Sequence, residues 1–130
     1  MLGKIYVVIP MYNAIDSIDS AVKSAISQNN VDIQVVLVDH GSKDRTYKYV
    51  KDKYDHFSNI SVIGLTRIPN EVRSASRPLN NGMKYVLEHA DDLDWVMRLD
   101  SDDVLADENT LCRVLQNNTD ECLLLSGSMV

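Results

Sequence analysis

Two short runs constrain this chain more than any other feature. Ile5-Tyr6-Val7-Val8-Ile9 and Val35-Val36-Leu37-Val38 are continuous, apolar and rich in β-branched residues. A strand with one wet face alternates apolar and polar residues, so a continuous run marks a strand covered on both faces. Such strands need helices above and below, and the spacing between them supplies these. Ile15, Ile18, Ala21, Val22, Ala25 and Ile26 recur every three or four residues, which is one face of a helix. Asn13 or Asp16 is its expected cap, and Asn29-Asn30 ends it.

After the second strand, Asp39-His40-Gly41-Ser42 reads as a tight turn with Ser42 as the next N-cap, and Tyr47, Val50 and Tyr54 line one face of that helix. Ile60, Val62 and Ile63 form a third strand, and Thr66 to Ser76 a long polar loop. Pro78 opens a third helix with the stripe Leu79, Met83, Val86, Leu87 and Ala90. Gly82 inside it costs about 1 kcal/mol relative to Ala, which implies that something packs closely there. Trp95 to Leu99 is a fourth strand, Leu105 to Leu115 a short helix, and Cys122 to Leu125 a last strand. Strand–helix alternation throughout predicts an α/β fold, with one mainly parallel sheet flanked by helices in a single domain over 1–130.

Composition bounds the function. With 45% hydrophobic and 25% charged residues, 130 residues suffice for a real core. The net charge of −6 lacks the basic face that a nucleic-acid partner needs. The apolar run at Ile5 to Met11 is broken by Pro10 and is too short to span a membrane, so a cytoplasmic location with no membrane span is expected. Cys112 and Cys122 form neither a disulfide framework nor a zinc pattern and read as small core hydrophobes.

Parallel α/β sheets bind ligands at the carboxyl ends of their strands. The residues standing there are Pro10-Met11-Tyr12-Asn13, Asp39-His40-Gly41-Ser42 and Asp100-Ser101-Asp102-Asp103. Three carboxylates within four residues repel one another without a partner. As hard oxygen ligands they suit Mg²⁺ or Mn²⁺ beside a phosphate-bearing substrate. The same cluster also fits an acidic turn capping the next helix, with Asp107 in the same role. Asp39 either accepts N–H bonds from a heterocycle such as uracil or complements the helix that starts near Ser42. Tyr12 either stacks on a base or is a rim aromatic. Arg73, Arg77 and Arg98 either meet phosphate bidentately or pair with acids, Arg98 with a neighbouring Asp.

Four blocks, VVIPMYNAIDSIDSAVKSAISQ, IQVVLVDHGSKDRT, LNNGMKYV and WVMRLDSDDVLADENTL, occur in an order and spacing that resemble a family 2 glycosyltransferase with the Rossmann-like GT-A fold. They are spread over residues 7–111, most of the chain. The resemblance implies transfer of a sugar from a nucleotide-diphosphate donor, UDP-linked, to a saccharide or other hydroxyl acceptor, with inversion and a divalent ion, Mn²⁺ or Mg²⁺. Its implied donor-binding residues are Pro10, Tyr12, Asn13, Asp39, Asp100 and Asp102, to which Arg73 and Arg77 are added as basic candidates. Tyr12 takes the stacking position, Asp39 bonds the base, Asp100 lies nearer the ribose, and Asp102 and Asp103 hold the metal.

Three features depart from the family pattern. His40 stands where a second Asp is common, and Leu79 where Arg is common before the Asn. Arg73 or Arg77 is a substitute for that second missing charge. The chain is also short for the family, so the C-terminal part with the acceptor site and general base is expected to be absent, and no catalytic base is assigned. Asp120 and Glu121 read as solvated loop charges. Two other readings stay open: a nucleotide-sugar-binding module without turnover, and a phospho-acceptor signalling domain. The second requires an acidic pair after the first strand, which Pro10-Met11-Tyr12-Asn13 does not supply.

Overall fold

Alternate residues of the first strand point to opposite faces, and both faces are dry. The computed structural model describes residues 3–68, 71, 76–117 and 124–126. In chain order the elements are β1 (Lys4–Met11), α1 (Ile18–Ile26), β2 (Asp32–His40), α2 (Thr46–Tyr54), β3 (Ile60–Leu65), α3 (Ser76–His89), β4 (Trp95–Arg98), α4 (Thr110–Asn117) and β5 (Leu124–Ser126). The strands form one sheet in the order β3-β2-β1-β4-β5, and every neighbouring pair is parallel. The expected strand–helix alternation is thus the observed architecture.

One face of the sheet carries Ile5, Val7, Ile9 and Met11 of β1 beside Ile33, Val35 and Leu37 of β2. Ile18, Ala21, Val22 and Ala25 of α1, Val50 and Tyr54 of α2, and Leu111 and Cys112 of α4 cover it. The other face carries Tyr6, Val8, Val36 and Val38, covered by α3 through Val86 and the partly buried Leu79 and Met83. Each fully buried aliphatic side chain contributes about 1.5–3 kcal/mol, so this double coverage is the main source of stability. Cys112 is a buried free thiol within that packing, while Cys122 lies outside the described residues.

The close approach expected at Gly82 is present. A Cβ there would stand 2.4 Å from Val8 Cγ1 and 3.3 Å from Val38 Cγ2. Helix α3 therefore rests its backbone directly on the central strands. On the opposite side, α1 and α2 are joined through Asp19. The Tyr49 and Tyr54 hydroxyls both donate to its carboxylate, and Lys53 Nζ lies 3.2 Å from it. Burial works against the charged carboxylate, but these donors outweigh it and hold Asp19 below its ordinary range.

Helix starts differ from the expected ones. The last helix begins at Thr110 and not at Leu105, because Asp107 folds the preceding segment into a turn. Its Oδ1 accepts from Asn109 N, and Asp107 N donates to Thr110 Oγ1. Leu105 is still buried, held from the loop by a bond from its N–H to Ser24 Oγ. Ser42 does not cap α2, which starts at Thr46 after Asp44 Oδ1 accepts from Thr46 N. Neither Asn13 nor Asp16 occupies the cap of α1; Ser17 stands there, without a side-chain cap bond.

The Gly82 contact yields a test. Gly82→Ala gains helix propensity worth about 1 kcal/mol but drives a methyl group into Val8 and Val38, and overpacking costs about 1–3 kcal/mol. The melting temperature of Gly82→Ala is expected to fall by several degrees. An unchanged or higher value would show that α3 is free to lift off the sheet.

Candidate functional site

All strands run the same way, so their carboxyl ends share one edge. The register pairs Met11 with Asp39 and Val8 with Arg98, so β1 lies between the strands that deliver Asp39 and Asp100. Two inter-strand spacings put these residues roughly 10 Å apart. The chain direction from strand to strand also reverses across β1, the kind of position where open α/β sheets hold ligands.

Asp39 is buried at the end of β2. Its Oδ2 accepts from Ser42 N at 2.9 Å, and its Oδ1 accepts from Ser42 Oγ. The carboxylate thus shapes the turn after β2, and each oxygen keeps a second acceptor site. Gly41 in that turn has φ +66°, a left-handed conformation that glycine adopts without penalty. Asn13, at the end of β1, takes φ +49° and fastens the two loops together. Its Oδ1 accepts from Lys43 N at 2.8 Å and Asp44 N at 3.2 Å, while its own N–H donates to Ser42 Oγ. Pro10 is buried at the end of β1, beyond the last β1–β4 pair, where a missing N–H costs the sheet least.

Beside Asp39 opens a cleft of about 510 Å³, lined by Asp39, Gly41, Ser42, Tyr47, Thr66 and Arg67 among others. Its walls are close-fitted. A Cβ on Gly64 would meet the Tyr47 ring at 2.7 Å, and one on Gly41 would meet Arg67 Cγ at 2.6 Å. Tyr12 stands behind Arg67, whose guanidinium lies 4.2 Å from the centre of the Tyr12 ring. Arg67 Nε and Nη2 are shielded from solvent and have no hydrogen-bond partner among the described residues.

At the end of β4, Asp100, Asp102 and Asp103 bring carboxylate oxygens within 4.8 Å of one another. Asp102 is exposed, and the other two are half-buried. Arg98 Nε donates to Asp100 Oδ1 at 2.8 Å, the pairing expected of Arg98. Three carboxylates against one guanidinium leave two uncompensated negative charges at one point. A hard divalent cation held by oxygen ligands suits that donor set.

The remaining basic candidates are placed differently. Arg77 Nη1 donates to the Thr66 carbonyl at 2.8 Å and to Glu71 Oε1 at 3.3 Å, so it braces the loop after β3 and does not line the Asp39 cleft. Arg73 lies outside the described residues, as do Asp120 and Glu121. His40 is buried, and its Nε2 lies 3.0 Å from Glu71 Oε1. A second groove of about 630 Å³ lies along α2, lined by Ile15, Arg45, Lys48, Tyr49, Asp52 and Lys53. Two of its lysines are paired, Lys48 with Asp52 and Lys53 with Asp19.

The glycosyl transferase family 2 model matches residues 6–124. The chain belongs to that family. An uncharacterised glycosyltransferase of Mycoplasma genitalium is 30% identical over 105 residues, spanning 79% of this chain and 33% of that protein. Among solved structures, residues 1–349 of S. aureus TarS match with TM-score 0.68 and 28% identity, covering 87% of this chain and 31% of that one. The same TarS fragment in complex with UDP-GlcNAc matches with TM-score 0.66 and 28% identity, covering 87% of this chain and 30% of that one. The fold is therefore the GT-A fold, as the four sequence blocks imply. The chain spans about one third of the length of these relatives. Among the described residues, no helix is long and apolar enough to cross a membrane.

In this family 2 chain, sequence reasoning passed over Arg67. The signal was available, because Arg67 lies just past the end of β3, and residues after strand ends were the ones to search. Glu71 was missed as well. Burial works against its charge, but the Ile68 N–H, His40 and Arg77 outweigh that and hold its carboxyl below the ordinary 4.5. A depressed carboxyl stabilises the fold above its unfolded pKa, and that contribution is lost as pH falls through the folded value. Glu71→Gln is expected to lower the melting temperature by a constant amount at pH 5.5–7.5. The gap to wild type should then shrink below about pH 4.5. A gap that persists unchanged to pH 3 would show that Glu71 acts by packing alone.

Proposed function

We propose that this chain forms the donor-binding part of an inverting glycosyltransferase that moves a sugar from a UDP-sugar to an acceptor hydroxyl, with Mn²⁺ or Mg²⁺. The observation that carries the reading is the convergent aspartate cluster at the end of β4, in a chain of this family. The TarS structures with UDP-GlcNAc and UDP support a uridine donor.

In this reading Asp39 accepts the base N–H from the floor of its cleft, beside Tyr12 and the Pro10–Asn13 segment. The spacing of roughly 10 Å from Asp39 to Asp100 spans a nucleoside. Asp100, oriented by Arg98, faces the ribose. Asp102 and Asp103, whose carboxylates have no side-chain partner among the described residues, hold the cation. A bound divalent ion stabilises the negative charge that develops on the departing nucleoside diphosphate. Arg73 and Arg77 are assigned to donor binding, Arg77 by bracing the loop after β3. The acceptor and the general base belong to the whole protein.

Thermal denaturation with UDP, GDP or no nucleotide, each with and without Mn²⁺, tests this. At a hundredfold excess over Kd a ligand adds about 2.7 kcal/mol, which raises the midpoint of a domain this size by several degrees, on the order of ten. The shift is expected only with UDP plus Mn²⁺ and is expected to vanish in Asp102→Asn and Asp103→Asn. A shift indifferent to metal, or retained in both variants, would overturn the metal assignment.

A further inference from the structure

We propose that Ser24 and Gln28, at the end of α1, are positioning residues for the aspartate cluster after β4: they hold the segment by which the chain leaves that cluster. The inference rests on the donor-site reading above and adds to it two residues that touch neither donor nor cation.

The aspartate turn hangs between two anchors. At its entry Leu99 is fully buried, and its N–H donates to the Val8 carbonyl of β1 at 3.0 Å. At its exit Leu105 is buried, and its N–H donates to Ser24 Oγ at 3.1 Å. Between the anchors, the Asp103 N–H donates to the Asp100 carbonyl at 3.0 Å and closes the turn. Carboxylates gathered within 4.8 Å repel one another and press the turn open. At the entry the sheet opposes that pressure. At the exit the opposing bonds come from α1.

Gln28 extends the exit anchor. Its Nε2 donates to the Asp107 carbonyl at 2.7 Å and to the Ser24 carbonyl at 3.0 Å, and its Oε1 accepts from Leu111 N at 2.9 Å. The neighbouring Asn29 N–H donates to the Glu108 carbonyl at 2.7 Å. Gln28 is only 7% exposed and follows Ala21 and Ala25 on the buried stripe of α1, where an apolar side chain is the ordinary choice. A buried amide is costly unless it is bonded, and this one is bonded to both ends of the stretch from Asp107 to Leu111. Such bonds are directional, so they fix where the segment lies, which apolar burial alone does not.

Position separates this role from general support of the fold. Ser24 and Gln28 act on the strand end that carries the aspartates. The Asp39 turn is held by other residues, Ser42 and Asn13. Loosening the hold of α1 therefore disturbs the cation and diphosphate end of the site and spares the base end.

The test measures Kd on the full-length protein for two probes, UDP with Mn²⁺ and uridine without metal. Ser24→Ala removes the acceptor of the Leu105 N–H, and Gln28→Met keeps a chain of similar length but none of its bonds. Each is expected to weaken UDP with Mn²⁺ by roughly tenfold, the lower end of the loss when an outer support of a metal site is removed, and to leave uridine unchanged. Val86→Ala truncates the core on the opposite face of the sheet. It is expected to lower the melting temperature and leave both affinities unchanged. Ser24→Ala serves alone if Gln28→Met does not fold, as judged by its unliganded melting temperature. Equal loss for both probes, or unchanged affinity for both, would overturn the proposal. So would a loss in Val86→Ala as large as that in the α1 variants, because the effect would then follow stability and not position. A wild-type protein whose UDP affinity is indifferent to Mn²⁺ would overturn the metal reading, and this inference with it, before any substitution is made.

Discussion

Burial of β1 on all four sides is the constraint on which the rest of this structure depends. The strand is paired with β2 along one edge and β4 along the other. It is covered by α1, α2 and α4 on one face and by α3 on the opposite face. The one polar side-chain group in its central run is the Tyr6 hydroxyl, which donates to the His89 carbonyl in place of water. This fixes the sheet, and the sheet fixes where polar chemistry is allowed. Side chains with charge collect where the strands end, and the parallel arrangement brings all of those ends together.

Two kinds of carboxylate result. Asp39 is buried and already engaged by Ser42, so its geometry is set by the protein and it can discriminate among ligands. The aspartates after β4 are more exposed and only partly neutralised by Arg98, so their charges repel one another. The first is suited to recognition and the second to holding charge. The strand spacing between them sets how far apart the two kinds of carboxylate stand.

The strands and the aspartate cluster were legible in the sequence because each is encoded in consecutive residues. Ile5–Ile9 and Val35–Val38 state their own burial, and Asp100 to Asp103 state their own charge. The close approach at Gly82 was legible as a cost that needed a reason. Helix starts were not legible at this level. Ser42 looked like a cap but is bonded to Asp39, and Asn13 looked like a cap but serves a loop 30 residues away. A side chain with several local options is decided by neighbours that only the fold provides. Arg67 was legible only as a position just past a strand end; its setting is built by Tyr12 and Gly41, which come from two other strand ends.

Asn13 ties the loop after β1 to the loop after β2 through three hydrogen bonds. One residue, through its amide oxygen and its backbone N–H, thereby turns two surface loops into a single plate. A plate of this kind has no independent halves. A ligand that presses on the Asp39 turn must also move the backbone around Tyr12, and damage to either loop is felt by both. In mechanical terms the rim of the cleft is a splice, and Asn13 is its rivet.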